Sequence, residues 1–236
     1  MCTVVIRVSA NRDEPVRLLA VRDEDPDRGW RPLGQWWPDR PGAIGIMDEL
    51  AGGAWLAADP ATRRLAVCLN REGAPGIPDD EITSRGTLVL ASVDGHRLPD
   101  RITTFGFNLV EVEGGSARVS SWDGADLRVT ELTPGTHMIA HDDLDDERTA
   151  RIAAWLGDFA AAATDGDPWW DEWLGVLADT TVTPATDDRA IIRDNHPHGY
   201  PTLSLLVAVA SVGADGMDVR NAVLDEPGVW NPLSLR

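Results

Sequence analysis

The chain has 236 residues, 43% of them hydrophobic, and a formal net charge of −18. That length can bury a substantial core without disulfides or structural metal, while the acidity argues against nucleic acid, whose phosphates need clustered cations. All 21 basic residues are arginine, which excludes lysine Schiff bases and a Walker-type phosphate loop.

Residues 3–8 and 16–22 are β-rich runs on either side of a polar stretch, the pattern of an antiparallel hairpin. Residues 45–47, 54–57 and 65–69 read as further short strands, with Gly52-Gly53 as a turn. Residues 87–93 fit either a buried strand or a helix. Residues 105–112 and 117–121 flank Glu113-Gly114-Gly115-Ser116 as a second hairpin, and 127–132 follow as a strand. A helix is predicted over 145–163: Ile152, Leu156, Phe159, Ala160 and Ala163 form an apolar stripe, and acidic residues crowd the first turn. A second helix is predicted from Asp167-Pro168, carrying Trp170, Trp173, Leu174 and Leu177. Strands resume at 190–193 and 203–212, before a turn at Asp215-Gly216. Strands, then helices, then strands predict an α+β sheet sandwich, and no repeat or linker divides residues 1–236, so a single domain is expected. The longest near-apolar run, 203–212, is far short of the roughly 20 residues of a membrane span. No charged-then-apolar leader opens the chain, so a cytoplasmic location is expected.

The two cysteines, Cys2 and Cys68, belong to no C-x-x-C pair, and a disulfide between them is disfavoured in a reducing compartment. G-x-S-x-G, H-E-x-x-H and G-x-G-x-x-G are all absent. His196-Pro197-His198 and the aspartates at 142–146 have no diagnostic ligand spacing, so neither metal nor cofactor is expected. Trp169, Trp170 and Trp173 suit core packing first, and also a ligand pocket or a homodimer contact.

What remains is the cysteine at position 2. Initiator methionine is removed when a small residue follows, and removal leaves Cys2 with a thiol and a free α-amine. An amine with a pKa near about 8 and a thiol near about 8.5 supply base and nucleophile from one residue. A hairpin turning near Arg12 sets Cys2 opposite residues close to 22. There Arg22 would lower the thiol pKa, and Asp23 would orient the amine or the thiol.

Cys2, its strand and Leu18-Leu19-Ala20-Val21-Arg22-Asp23-Glu24 closely resemble the NRDE family, also called the transport and Golgi organisation protein 2 family. That family opens Met-Cys and later reads approximately Leu-x-x-Ala-Asn-Arg-Asp-Glu. A literal Asn11-Arg12-Asp13-Glu14 falls in the predicted turn, roughly 30 Å from Cys2 along an extended strand, so the motif is assigned to residues 22–24. Val21 replaces the family's Asn. Trp36-Trp37, Gly52-Gly53-Ala54-Trp55-Leu56, the strand ending at Asn70, Ser84-Arg85-Gly86-Thr87-Leu88, Phe107-Asn108-Leu109 and Leu132-Thr133-Pro134-Gly135-Thr136 follow in family order. The likeness at Arg85-Gly86 tips residues 87–93 towards helix.

The resemblance implies an N-terminal nucleophile hydrolase with a four-layer αββα fold, acting on a non-peptide C–N (amide) bond or related acyl compound. Cys2 would be the nucleophile, tuned by Arg22 and Asp23, with Asn70 donating to the oxyanion. Trp36, Arg85 and His141 would contact the small-molecule substrate, His141 standing where the family has an Asn. Near the last strand the family usually reads Gly-Thr-Arg, whereas this chain has Gly199-Tyr200-Pro201 and no arginine. The same likeness admits a haem or lipid/acyl carrier using that cleft, or an inactive interaction protein.

Overall fold

The computed structural model describes residues 2–236, which form a mixed α+β structure of two antiparallel sheets and three α-helices. The first sheet contains β1 (Thr3–Val8), β2 (Val16–Glu24), β10 (Gly135–Ile139), β11 (Leu203–Val212) and β12 (Met217–Val223) in the order β10-β1-β2-β11-β12. The second runs in chain order from β3 (Trp30–Gly34) through β4 (Ile44–Asp48), β5 (Ala54–Asp59), β6 (Arg64–Asn70), β7 (Phe107–Glu113) and β8 (Ser116–Trp122) to β9 (Leu127–Glu131). The helices are α1 (Gly86–Val93), α2 (Ala150–Ala161) and α3 (Asp171–Asp179).

Alternation along each strand sorts the apolar side chains into separate clusters. Val4, Ile6, Leu18 and Ala20 meet Leu56, Val67 and Val110 of the second sheet. Their neighbours Val5, Leu19 and Val21 face the other way, against Ile152 and Phe159 of α2 and Trp173 and Leu177 of α3. On the second sheet, Ala57, Ala66 and Leu109 pack against Leu88, Val89 and Val93 of α1. Both faces of the central strands are therefore buried, which is why β1 and β11 read as near-continuous apolar runs. Each fully buried Val or Leu contributes about 1.5–3 kcal/mol. Trp173 is buried and its indole N–H donates to the Phe159 carbonyl at 3.1 Å, so two of the three clustered tryptophans, Trp169 and Trp173, belong to the core.

Helix α1 sits unusually close to β5. A Cβ on Gly53 would lie 2.7 Å from the Gly86 carbonyl carbon, so two glycines let backbone meet backbone where the helix begins.

Three sequence expectations are corrected. The helix expected over 145–163 is α2, whose first turn holds no acidic residue. Asp145 instead has φ of 54°, accepts the Met138 N–H at 2.7 Å and pairs with His137 at 2.6 Å, while Asp146 binds Arg148. These carboxylates stabilise turns before the helix, not its first turn. The second helix begins at Asp171, because Pro168 opens a turn whose carbonyl accepts the Asp171 N–H at 3.4 Å. Residues 190–193 are buried but form no strand: the Arg193 N–H goes to the Ser204 hydroxyl at 2.8 Å instead of to a ladder carbonyl. The sequence reading also passed over β3, β10 and β12. No helix among the described residues is long and apolar enough to cross a membrane.

Candidate functional site

Thr3 pairs with Val21 across β1 and β2, so the next residue, Cys2, stands beside Arg22. The Asp23 N–H donates to Cys2 Sγ at 3.4 Å, and the thiol points back to the Asp23 carbonyl at 3.6 Å. Cys2 is buried, and that burial pushes its thiol pKa up. The Asp23 charge adds to the rise, while the Asp23 backbone N–H and Arg22 oppose it. The resting site therefore holds a thiol rather than a thiolate. Cys68, on β6, is pushed up to about 12, chiefly by burial, with Arg85 opposing and Cys2 adding.

Asp23 faces the α2 side of the first sheet, into a buried polar network. Ser204 Oγ donates to Asp23 Oδ1 at 2.6 Å, and Asn195 Nδ2 approaches Oδ2 at 3.4 Å. Arg193 Nε donates to Asn195 Oδ1 at 3.0 Å, and Arg151 Nη1 to Thr3 Oγ1 at 2.9 Å. A register shift between Ser204 and Leu206 lets Ser204 share a level with Asp23 while Leu206 meets Arg22. Arg22, Arg151 and Arg193 are each 2% exposed or less, an unusual concentration of buried guanidinium. Burial and the neighbouring Arg193 lower the Arg151 pKa to about 10, and the Asp23 charge opposes that fall.

On the other side of Arg22 lies a cavity of about 430 Å³ whose walls include Arg22, Trp55, Cys68, Asn70, Arg85 and Phe105. Asn70 reaches it from the exposed end of β6, and Arg85 from the start of α1, anchored by Nη1 to the Gly106 carbonyl at 3.0 Å. Arg28 is held by Asp48 at 2.7 Å, and Glu24 lies 3.4 Å from Arg22. Cys2 is not among the lining side chains.

The structure thus brings Cys2, Arg22 and Asp23 together in one contact group, and Arg22, Asn70 and Arg85 together in one cavity; Arg22 belongs to both. Trp36 lies elsewhere: its indole donates to the Pro32 carbonyl at 2.8 Å, under the guanidinium of Arg31. His141 lines no part of the cavity. It pairs with Asp142 at 3.3 Å, its buried Nδ1 has no partner among the described residues, and burial followed by Arg151 holds its pKa below the usual value. Asn108, buried on β7, donates to the carbonyls of Ala140 and Asp142 at 3.1 and 2.7 Å, tying the second sheet to the segment that carries His141. Asn11-Arg12-Asp13-Glu14 is an exposed turn closed by Glu14 N–H to the Asn11 carbonyl at 3.0 Å.

Sequence reasoning missed Arg151, Arg193, Asn195 and Ser204, and singled out Asn108 only as part of a family motif, without its role. Two had a signal: Arg151 directly precedes Ile152 on the buried face of the helix, and Arg193 closes the apolar run Ala190-Ile191-Ile192. Arg193 also places a cation on the Asn195 side of Asp23, upstream of the segment that has none of its own. Ser204 and Asn195 had no such mark, because their partner lies more than 170 residues away in sequence.

These features define a mixed α+β protein with a buried thiol at the head of its first strand and a cation-lined cavity next to it. The chain belongs to the Transport and Golgi organisation 2 family, whose profile matches residues 1–209, the family that its N-terminal motifs resemble. A search of curated proteins finds no match.

Proposed function

We propose that this chain is an N-terminal cysteine nucleophile hydrolase acting on a non-peptide amide or related acyl compound. In this reading it is a single cytoplasmic domain whose helices and sheets stack as a four-layer αββα sandwich, and its partner is a small molecule. The observation that carries the proposal is the position of Cys2, beside Arg22 and with Sγ on the Asp23 N–H, in a chain of this family. Removal of Met1, which lies outside the described residues, would leave an α-amine at Cys2 to accept the thiol proton. The thiolate then attacks the amide carbon, the Asn70 side chain donates to the developing oxyanion, and the α-ammonium protonates the leaving amine. Water hydrolyses the resulting thioester and restores the thiol. Ser204 and Asn195 hold Asp23 in place throughout.

Intact mass tests the first step, and turnover of a panel of acyl amides tests the rest. Loss of Met1, with hydrolysis abolished by Cys2→Ala, is the expected result. A retained Met1, or turnover unchanged by the substitution, ends the proposal.

A second reading, a carrier of haem or of a lipid or acyl ligand, draws on the cavity having Arg22, Asn70 and Arg85 in its wall but not Cys2. Ligand binding that survives Cys2→Ala unchanged, with no hydrolysis of any amide, selects it. A homodimer contact through the half-buried Trp170 is compatible with either reading, and sedimentation of the wild-type chain against Trp170→Ala decides it.

A further inference from the structure

We propose that the cavity beside Arg22 binds the carboxylate of a small monoanionic ligand through Arg22, Trp55 and Arg85, with the ligand's apolar portion against Phe105 and Ile82. Two buried donors in its lining residues carry the argument. Arg22 Nη1 and Trp55 Nε1 have no hydrogen-bond partner among the described residues, although Arg22 is only 2% exposed and Trp55 only 8%. Buried donors of this kind are ordinarily satisfied, and both residues line one cavity.

Charge points to the same ligand. The lining contains Arg22, Arg28 and Arg85 against Glu24 and Asp48. Asp48 is taken by Arg28 at 2.7 Å, and Glu24 is shared between Arg22 at 3.4 Å and Arg28 at 3.9 Å. One positive charge is left over, at the Arg22 and Arg85 end, in a chain of net −18. A single surplus cation suits a monoanion. A planar guanidinium matches a carboxylate, and an indole N–H can only donate. Phe105, 44% exposed at the rim, and Ile82 add apolar surface where the polar donors end. The inference uses the cavity of the proposed hydrolase but none of its chemistry.

Calorimetric titration of the full chain with N-hexanoylglycine, N-hexanoylglycinamide and hexyl phosphate tests it. The carboxylate is expected to bind at least about tenfold more tightly than the neutral amide, the scale of a charge-assisted hydrogen bond. Trp55→Phe, which removes the N–H and keeps an aromatic ring, and Arg85→Leu should each erase most of that preference. Equal binding of carboxylate and amide, tighter binding of the phosphate, or no binding of any probe overturns the proposal. The wild-type comparison decides the matter even if a variant fails to fold. Cys2→Ala should leave the carboxylate preference intact, which separates failure of this inference from failure of the hydrolase reading.

Discussion

Ser204→Ala removes one hydroxyl and breaks two buried contacts at once. The hydroxyl donates to a charged acceptor, Asp23 Oδ1, at 2.6 Å, and it accepts the Arg193 N–H at 2.8 Å. A hydrogen bond to a charged group contributes about 1.5–3 kcal/mol, and stranding a buried N–H costs about 1–3 kcal/mol more. Ser204 is fully buried, so no bulk water replaces either partner. The two effects together come to about 2.5–6 kcal/mol. For a chain of this size, each kcal/mol lowers the melting temperature by about 2–4 °C, which gives a fall of roughly 5–24 °C. Urea unfolding followed by far-UV circular dichroism, with a thermal scan alongside, measures both numbers. Loss of the Asp23 clamp should also change the rate at which iodoacetamide labels Cys2, because the Asp23 N–H holds its sulfur. A loss of stability below about 1 kcal/mol, with Cys2 labelling unchanged, would refute the view that Ser204 organises this site.

Gly53→Ala should cost about 1–3 kcal/mol, because its new methyl meets the backbone of Gly86 at 2.7 Å; Gly157→Ala in α2, with nothing within 4 Å, should instead stabilise by up to about 1 kcal/mol, and chemical denaturation of the pair reads the contrast. Burial alone would raise the Glu111 pKa, but Arg118, Ser92 and Ser120 outweigh it and hold the carboxyl below its ordinary value. Its contribution is therefore present above the ordinary glutamate pKa and lost as pH falls through the lowered one, so the stability gap between wild type and Glu111→Gln should close in acid. Cys68 runs the opposite way. With its folded pKa raised to about 12, its stabilisation is full below the unfolded thiol's value and fades as pH climbs towards about 12, so Cys68→Ala should flatten the alkaline limb of the stability–pH curve.

Local chemistry explains which elements the sequence revealed. The spans 3–8 and 203–212 match β1 and β11 residue for residue, because both strands lie in the middle of a sheet and are apolar on both faces. The strands that escaped notice are at edges: β3 contains Pro32 and buries none of its five residues fully, β12 carries Asp218, Arg220 and Asn221, and β10 is five residues beginning with glycine. Edge strands bury little, so their alternation is weak. The site divided in the same way. Hairpin register is local, so Arg22 and Asp23 could be placed beside Cys2 from turn length alone. Ser204 arrives on β11, which pairs with β2 from the far end of the chain, and Arg193 and Asn195 come from the segment just before it; no local pattern announces that pairing.

That pairing also sets an order in time. The strand that completes the Asp23 network is made last: Ser204 follows Asp23 by 181 residues. At roughly 5–20 residues per second, a growing chain carries β2 for about 10–40 s before β11 exists to pair with it. An enzyme that trims the N-terminus has that interval to act on an open end. In a chain that completes β11 first, Cys2 is already buried beside Asp23. Under the proposed removal of Met1, trimming competes with synthesis of β11, and slowing translation should raise the trimmed fraction, as read by intact mass.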